Sequence, residues 1–277
     1  MRFTLNHAAR IVWHVGWSDF LLKYRGSVLG YLWSLLAPLA KFLVIFYVFR
    51  PFIGNRIAQY PLYLFLGIIA WEHFTVTTTH CMTTLHEKAA FIQKMPFPRV
   101  LLILIVGWSD LLVFLSYFLI FALFAVLRGQ VIDWNWLYLP VVLVHMTFLA
   151  LGVGSLLSAY SLKYRDILHL WGIASQVLFW LTPITYAYRL ETPILTALAG
   201  LPSMLSPFHP IALFDVFVQF QPLSIIIYDL RRVTFYAESG GVPSAAHALG
   251  LTLILGSIFC FGLWVFHKRS KYFVEEY

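Results

Sequence analysis

Three charged side chains, Lys41, Glu72 and Asp110, interrupt stretches of sequence that are otherwise apolar enough to cross a bilayer. Counted at about 1.5 Å per residue from the ends of those stretches, all three fall in the middle half of a membrane. An isolated charge at that depth costs at least about 2.5–3.5 kcal/mol, so each needs an ion partner or a watery cavity. The expectation is that Lys41 pairs with Glu72 or with Asp110. The run after Glu72 adds hydroxyls at Thr75, Thr77, Thr78, Thr79, Thr83 and Thr84, with histidines between them. A helix facing lipid gains nothing from so many hydroxyls. A helix lining a hydrophilic conduit does, although threonine also satisfies itself by bonding back to the preceding turn. The conduit-lining candidates are therefore Thr75 and Thr78, with the aromatic residues Tyr31, Trp33, Trp71, Phe74, Phe179 and Trp180 that sit beside polar or kinked neighbours.

Other chemistry is not legible. HEKAA at His86 opens like a zinc-protease helix but has Ala90 where the second histidine is required. There is no Walker phosphate loop, so ATP hydrolysis is not expected of this chain. The ten histidines are scattered singly, and Cys81 and Cys260 lie in different apolar segments, which suggests neither a disulfide nor a zinc site. No catalytic and no metal-ligating residue is expected. A membrane-embedded transferase would need a clustered acid or histidine pair on one loop, and a scaffold would gain nothing from intramembrane charges.

The elements that must carry these residues follow from composition. Of 277 residues, 61% are hydrophobic and only 11% charged, about half the charge of a soluble domain. The reading is an all-α integral membrane protein with six transmembrane helices, over about 26–49, 60–84, 100–127, 136–160, 167–187 and 246–266. Before them, His7, Arg10, His14 and Ser18 share one helical face, and Ala9, Trp13, Trp17 and Phe20 or Leu21 another. That period predicts an N-terminal amphipathic helix lying in the membrane interface. No cleavable signal peptide is expected, because Arg2, Arg10 and Asp19 interrupt the first twenty residues.

Residues 192–214 form another uncharged run, but Pro193, Pro202, Pro207 and Pro210 break it. Backbone so broken survives at membrane depth only when protein shields it. Two short re-entrant helices, near 193–201 and 208–220, are expected there. With the N-terminus cytoplasmic, twelve of the nineteen Lys and Arg lie inside and six outside, the outer ones being Arg50, Arg56, Arg128, Arg189, Arg231 and Arg232. The positive-inside rule thus favours six spans with both termini cytoplasmic, and explains the +7 charge without nucleic acid. The organisation expected is an interface helix over 1–25, a six-span domain over 26–266 and a cytoplasmic tail over 267–277. The inner loop LHEKAAFIQKMPFPR, over 85–99, is the best docking element for a soluble partner, with Glu87, Lys88 and Lys94 polar and Phe91 and Ile92 apolar.

Four motifs in order carry a family resemblance: LKYRGSVLGYLWSLLAP at 22–38, KMPFPR at 94–99, YSLKYRDILHLWGIASQVLFWLTPITY at 160–186 and LSPFHP at 205–210. The chain resembles the type-2 ATP-binding-cassette (ABC) export permeases that move lipid-linked polysaccharides, such as O-antigen, capsule or teichoic acid, across the bacterial inner membrane. A drug exporter permease of the same superfamily would usually lack the KYRG motif. The resemblance implies a homodimer bound to two copies of a separate ATPase subunit, which binds the ATP and Mg, so that no cofactor belongs to this chain. It also implies that the inner loop acts as a coupling helix, here His86, Glu87, Lys88, Phe91, Ile92 and Lys94. The interface helix would sit where substrate is admitted, and the paired short helices would form an outer gate. Lys23, Tyr24 and Arg25 are the expected substrate entry; their charges set orientation by the positive-inside rule, and Lys23 and Arg25 are expected also to meet the phosphates of an incoming lipid-linked glycan. Lys41 departs from the uncharged residue that the resemblance implies at that position.

Overall fold

The computed structural model of the chain describes residues 5–23, 32–54, 56–88, 98–161, 163–164, 166–187, 210–235 and 241–270. Every regular element among them is helical: α1 (Leu5–Leu22), α2 (Leu32–Ile53), α3 (Tyr60–Glu87), α4 (Val100–Leu127), a 3₁₀ turn (Trp134–Tyr138), α5 (Leu139–Ser161), α6 (Asp166–Leu181), α7 (Pro210–Phe220), α8 (Pro222–Thr234) and α9 (Ala245–Ser270). Four stretches among the described residues are both long and apolar enough to cross a membrane: Leu35–Ile53, Val100–Leu127, Trp134–Ser161 and Ala245–Ser270. The protein is a multi-pass membrane protein. The two other expected spans differ for physical reasons. α3 has 28 residues, about 42 Å at the α-helical rise, but its threonine-rich half makes it less apolar. α6 has 16 residues, about 24 Å, and ends before Pro183 instead of continuing to residue 187.

α3 forms the centre. Leu62, Leu64, Leu66, Ile68, Ile69 and Ala70 are all fully buried, and a helix apolar on every side belongs inside a bundle. It touches α2, α4, α5, α6 and α8. α5 packs closely along α9 because small residues bring the backbones together. A Cβ placed on Gly262 would collide with the Gly152 carbonyl oxygen and the Ser155 hydroxyl, and one placed on Gly152 would lie 2.9 Å from the Phe259 nitrogen.

α1 lies along α4 with three distinct faces. Its buried residue is Gly16, against Trp108 and Ile105. His7, Arg10, His14 and Ser18 are exposed, and so are Ala9, Trp13, Trp17 and Leu21. The tryptophan face also meets α4, through Trp13, whose ring centroid lies 4.7 Å from that of Trp108.

Between α6 and α9, α7 occupies the region expected to be helical near 208–220, whereas 193–201 lies outside the described residues. α8 corrects the sequence reading, which put Arg231 and Arg232 in an outer loop. Pro222 begins the helix, where its missing N–H costs nothing. The chain then buries Leu223, Ile226, Ile227 and Leu230.

Candidate functional site

Asp110, on α4, is only 3% exposed. Two groups reach its carboxylate. Lys23, just after α1, donates from Nζ to Oδ1 at 2.7 Å. From α3, His80 Nδ1 lies 3.0 Å from Oδ1 and 2.9 Å from Oδ2. One turn earlier on α1, Asp19 pairs with Lys88 at the end of α3. Asp19 and Lys23 share a helical face, and a neighbouring helix engages each of them. Two ionic contacts therefore fasten the end of α1 to α3 and α4.

Lys41 on α2 meets the other acid. Its Nζ lies 3.7 Å from Glu72 Oε2 and 4.4 Å from the Phe179 ring centroid, an ion pair and a cation–π contact together. Of the two partners considered for Lys41, the neighbouring one is Glu72, while Asp110 is engaged by Lys23 and His80. Around this pair runs an aromatic ladder: Trp71 lies 5.6 Å from Phe179, Phe74 lies 6.0 Å from Trp171, and Phe179 lies 5.1 Å from Trp180.

This ladder bears on the conduit-lining expectation. Trp71, Phe74, Thr78 and Phe179 are buried inside the chain itself, not on its surface. The reason is local bonding: Thr75 Oγ1 bonds back to the Trp71 carbonyl at 3.0 Å. Thr78 bonds back to the Thr75 carbonyl at 2.9 Å and accepts from Trp171 Nε1 at 3.0 Å. With its hydroxyls so satisfied, α3 packs as a core helix. Thr75 is half-buried and Trp180 is exposed. Trp33 lies in α2, and Tyr31 lies outside the described residues. Among the remaining candidates, Glu87 is exposed and ends α3, His86 lies in its last turn, and Tyr24, Arg25, Phe91, Ile92 and Lys94 lie outside the described residues.

Sequence reasoning missed a second polar centre. After α6, the stretch Thr182–Tyr186 leaves helical geometry, exposing carbonyls that no helix satisfies. Arg231 of α8 donates from Nη1 to the Pro183 carbonyl at 2.7 Å and from Nη2 to those of Tyr63 and Ile184 at 3.1 and 3.2 Å. The Tyr63 hydroxyl donates to the Tyr186 carbonyl at 2.8 Å, and the guanidinium lies 3.3 Å from the Tyr63 ring centroid. Gly67 makes room, since a Cβ there would sit 2.5 Å from Arg231 Nη2. Nearby, His247 Nε2 of α9 pairs with Asp229 Oδ2 of α8 at 2.9 Å, and His145 of α5 with Thr252 of α9 at 2.7 Å. The one sequence signal for the Arg231 contact was LTPITY, a helix broken by proline inside an apolar segment.

The described residues form a helical bundle in which ion pairs tie α1 to α3 and α4, and α2 to the buried central helix α3. The comparisons give the family. The model of the ABC-2 type transporter matches residues 10–201, and the chain belongs to that family. It is similar to the "O-antigen export system permease protein RfbA" of Klebsiella pneumoniae, 26% identical over 188 residues, which are 68% of this chain and 73% of that protein. A protein of the same description from Myxococcus xanthus is 27% identical over 165 residues, 59% of this chain and 63% of that protein. Family membership implies a permease subunit working with an ATPase partner.

Proposed function

We propose that the chain is the permease subunit of an O-antigen-type exporter, carrying lipid-linked polysaccharide across the bacterial inner membrane. The observation that carries this is the similarity to O-antigen export permeases over 188 residues, together with the family match over 10–201. The working unit is a homodimer with two ATPase copies, which bind the ATP and Mg; this chain has no cofactor of its own. Each protomer crosses the membrane six times, α3 and α6 included, with both termini cytoplasmic. The distribution of cations supports that orientation.

In this reading α1 lies in the inner interface, its tryptophan face towards lipid headgroups. The Lys23–Asp110–His80 and Asp19–Lys88 contacts set its angle. Lys23, Tyr24 and Arg25 receive the substrate phosphates, and the segment from His86 to Lys94 transmits ATPase motion. Lys88 links these two regions, because it directly follows α3 beside the coupling loop and also holds α1. The two short helices expected near 193–201 and 208–220, the second of them α7, form the outer gate, and Trp180 and Thr75, which are not fully buried within the protomer, are candidates to face the glycan.

Deletion of the gene tests the export reading. Lipid-linked glycan should accumulate on the cytoplasmic side of the inner membrane, and surface polysaccharide should disappear, both restored by the intact gene. Normal surface polysaccharide after deletion, in a cell with no second exporter, would reject it.

A further inference from the structure

At the end of the bundle far from the Asp110 cluster, a cavity of about 470 Å³ opens between α2, α3 and α4. Its lining includes Arg50, in the last turn of α2, and Arg128, which caps the C-terminus of α4. Each arginine complements the negative end of its own helix, but that role does not require both to line one cavity. No ion pair joins either of them to an acid among the described residues. The N-terminus of α3 lies in the same lining, at Tyr60 and Pro61, and adds the positive end of a 28-residue helix dipole.

From these features we infer that the cavity binds the phosphate group of a membrane lipid, with Arg50 and Arg128 as its cationic arms. Guanidinium groups suit phosphate oxygens because their planar forks give paired, charge-assisted bonds. A lipid fits better than free phosphate, because Leu43 and Tyr47, which also line the cavity, are exposed apolar side chains on the flank of α2. Acyl or prenyl chains can lie along that flank while the headgroup sits at the arginines. The inference deepens the export reading and rests on it for orientation, which puts this site at the outer leaflet. The phosphate belongs either to a bulk anionic lipid or to the diphosphate of the exported glycan carrier.

The test uses the full transporter complex, delipidated and titrated separately with dioleoyl phosphatidylglycerol, undecaprenyl diphosphate and inorganic phosphate, with bound ligand counted by native mass spectrometry. Arg50→Gln and Arg128→Gln should each weaken lipid binding roughly tenfold, and Arg50→Lys should retain part of it. Arg56→Gln, at the same end but outside the cavity, should change nothing. Tighter binding of the diphosphate identifies the glycan carrier as the source, and tighter binding of phosphatidylglycerol identifies the bilayer. Equal lipid binding by the wild type and the double glutamine variant overturns the site. Inorganic phosphate binding as tightly as either lipid overturns its assignment to a lipid. Because the readout is bound lipid, its failure leaves surface polysaccharide unaffected, whereas a failed export reading would show in the deletion strain.

Discussion

The Asp110 carboxylate is held by unequal partners. It is 3% exposed, whereas the Lys23 side chain is 32% exposed, so the energetic weight lies with the acid. Breaking a fully buried pair costs about 3–5 kcal/mol because the remaining charge has lost its compensation. Here His80 remains, and Lys23 is partly solvated, so Lys23→Met should cost about 1–3 kcal/mol. Adding Asp110→Asn should recover most of that loss, since no buried charge is then left uncompensated. Thermal unfolding of the two single variants and the double variant in detergent tests the pair; losses that simply add would show no coupling. At Arg231 the replacement by lysine is the informative one. One ammonium cannot reproduce two guanidinium nitrogens reaching the Pro183, Tyr63 and Ile184 carbonyls. Arg231→Lys should therefore lose about 2–4 kcal/mol, read as a lower unfolding temperature. An unchanged temperature would mean that the LTPITY bend is held by Tyr63 alone.

Among the elements, the helices whose evidence is continuous apolarity were legible, and those that depend on partners were less so. Val100–Leu127 has the expected bounds, because 28 residues with one acid permit little else. α8 was missed because Asp229, Arg231 and Arg232 resemble loop charges; yet Leu223, Ile226, Ile227 and Leu230 repeat at helical spacing. Asp110 was legible as costly, but its partner Lys23 lies 87 positions away, and only the rotation of α1 on α4 brings them together. The stripe of α1 that packs was missed because Gly16 carries no hydrophobic signal. Its role appears only where Trp108 needs the space. Between α5 and α9 the same argument gives a prediction. Gly262→Val would push a branched side chain into the Gly152 carbonyl and Ser155, forcing the helices apart. Overpacking of this kind typically costs about 1–3 kcal/mol, and should appear as reduced yield of folded protein on size exclusion. Gly250→Ala, which has open space around it, should leave the yield unchanged.

For the molecule as a whole, α3 and α6 decide how the chain is threaded through the bilayer. Hydropathy alone accepts four spans among the described residues, and four would be compatible with both termini on one side. Burial argues for more. α3 is surrounded by neighbouring helices, its Thr75 and Thr78 hydroxyls bond within the protein, and His80 and Glu72 pair with Asp110 and Lys41, so protein supplies what the bilayer cannot. A helix can therefore cross while failing a hydropathy threshold. If α3 crosses, Arg56 and Lys88 lie on opposite sides of the membrane; if α6 crosses, so do Lys163 and the segment after Tyr186. Cysteine labelling in whole cells separates these threadings. Of the native cysteines, Cys81 is buried and Cys260 is exposed on α9, within the apolar span, so both should resist a charged maleimide and can be replaced by serine as a control. In that background Arg56→Cys and Gly129→Cys should react from outside, while Lys163→Cys and Arg269→Cys should react only after the membrane is permeabilised. External labelling at position 163 together with position 129 would mean that α5 does not cross, and labelling at 269 would mean an odd number of spans. Protection at position 56 would mean that α2 does not carry the chain across, and the cavity at Arg50 and Arg128 would then not open at the outer leaflet.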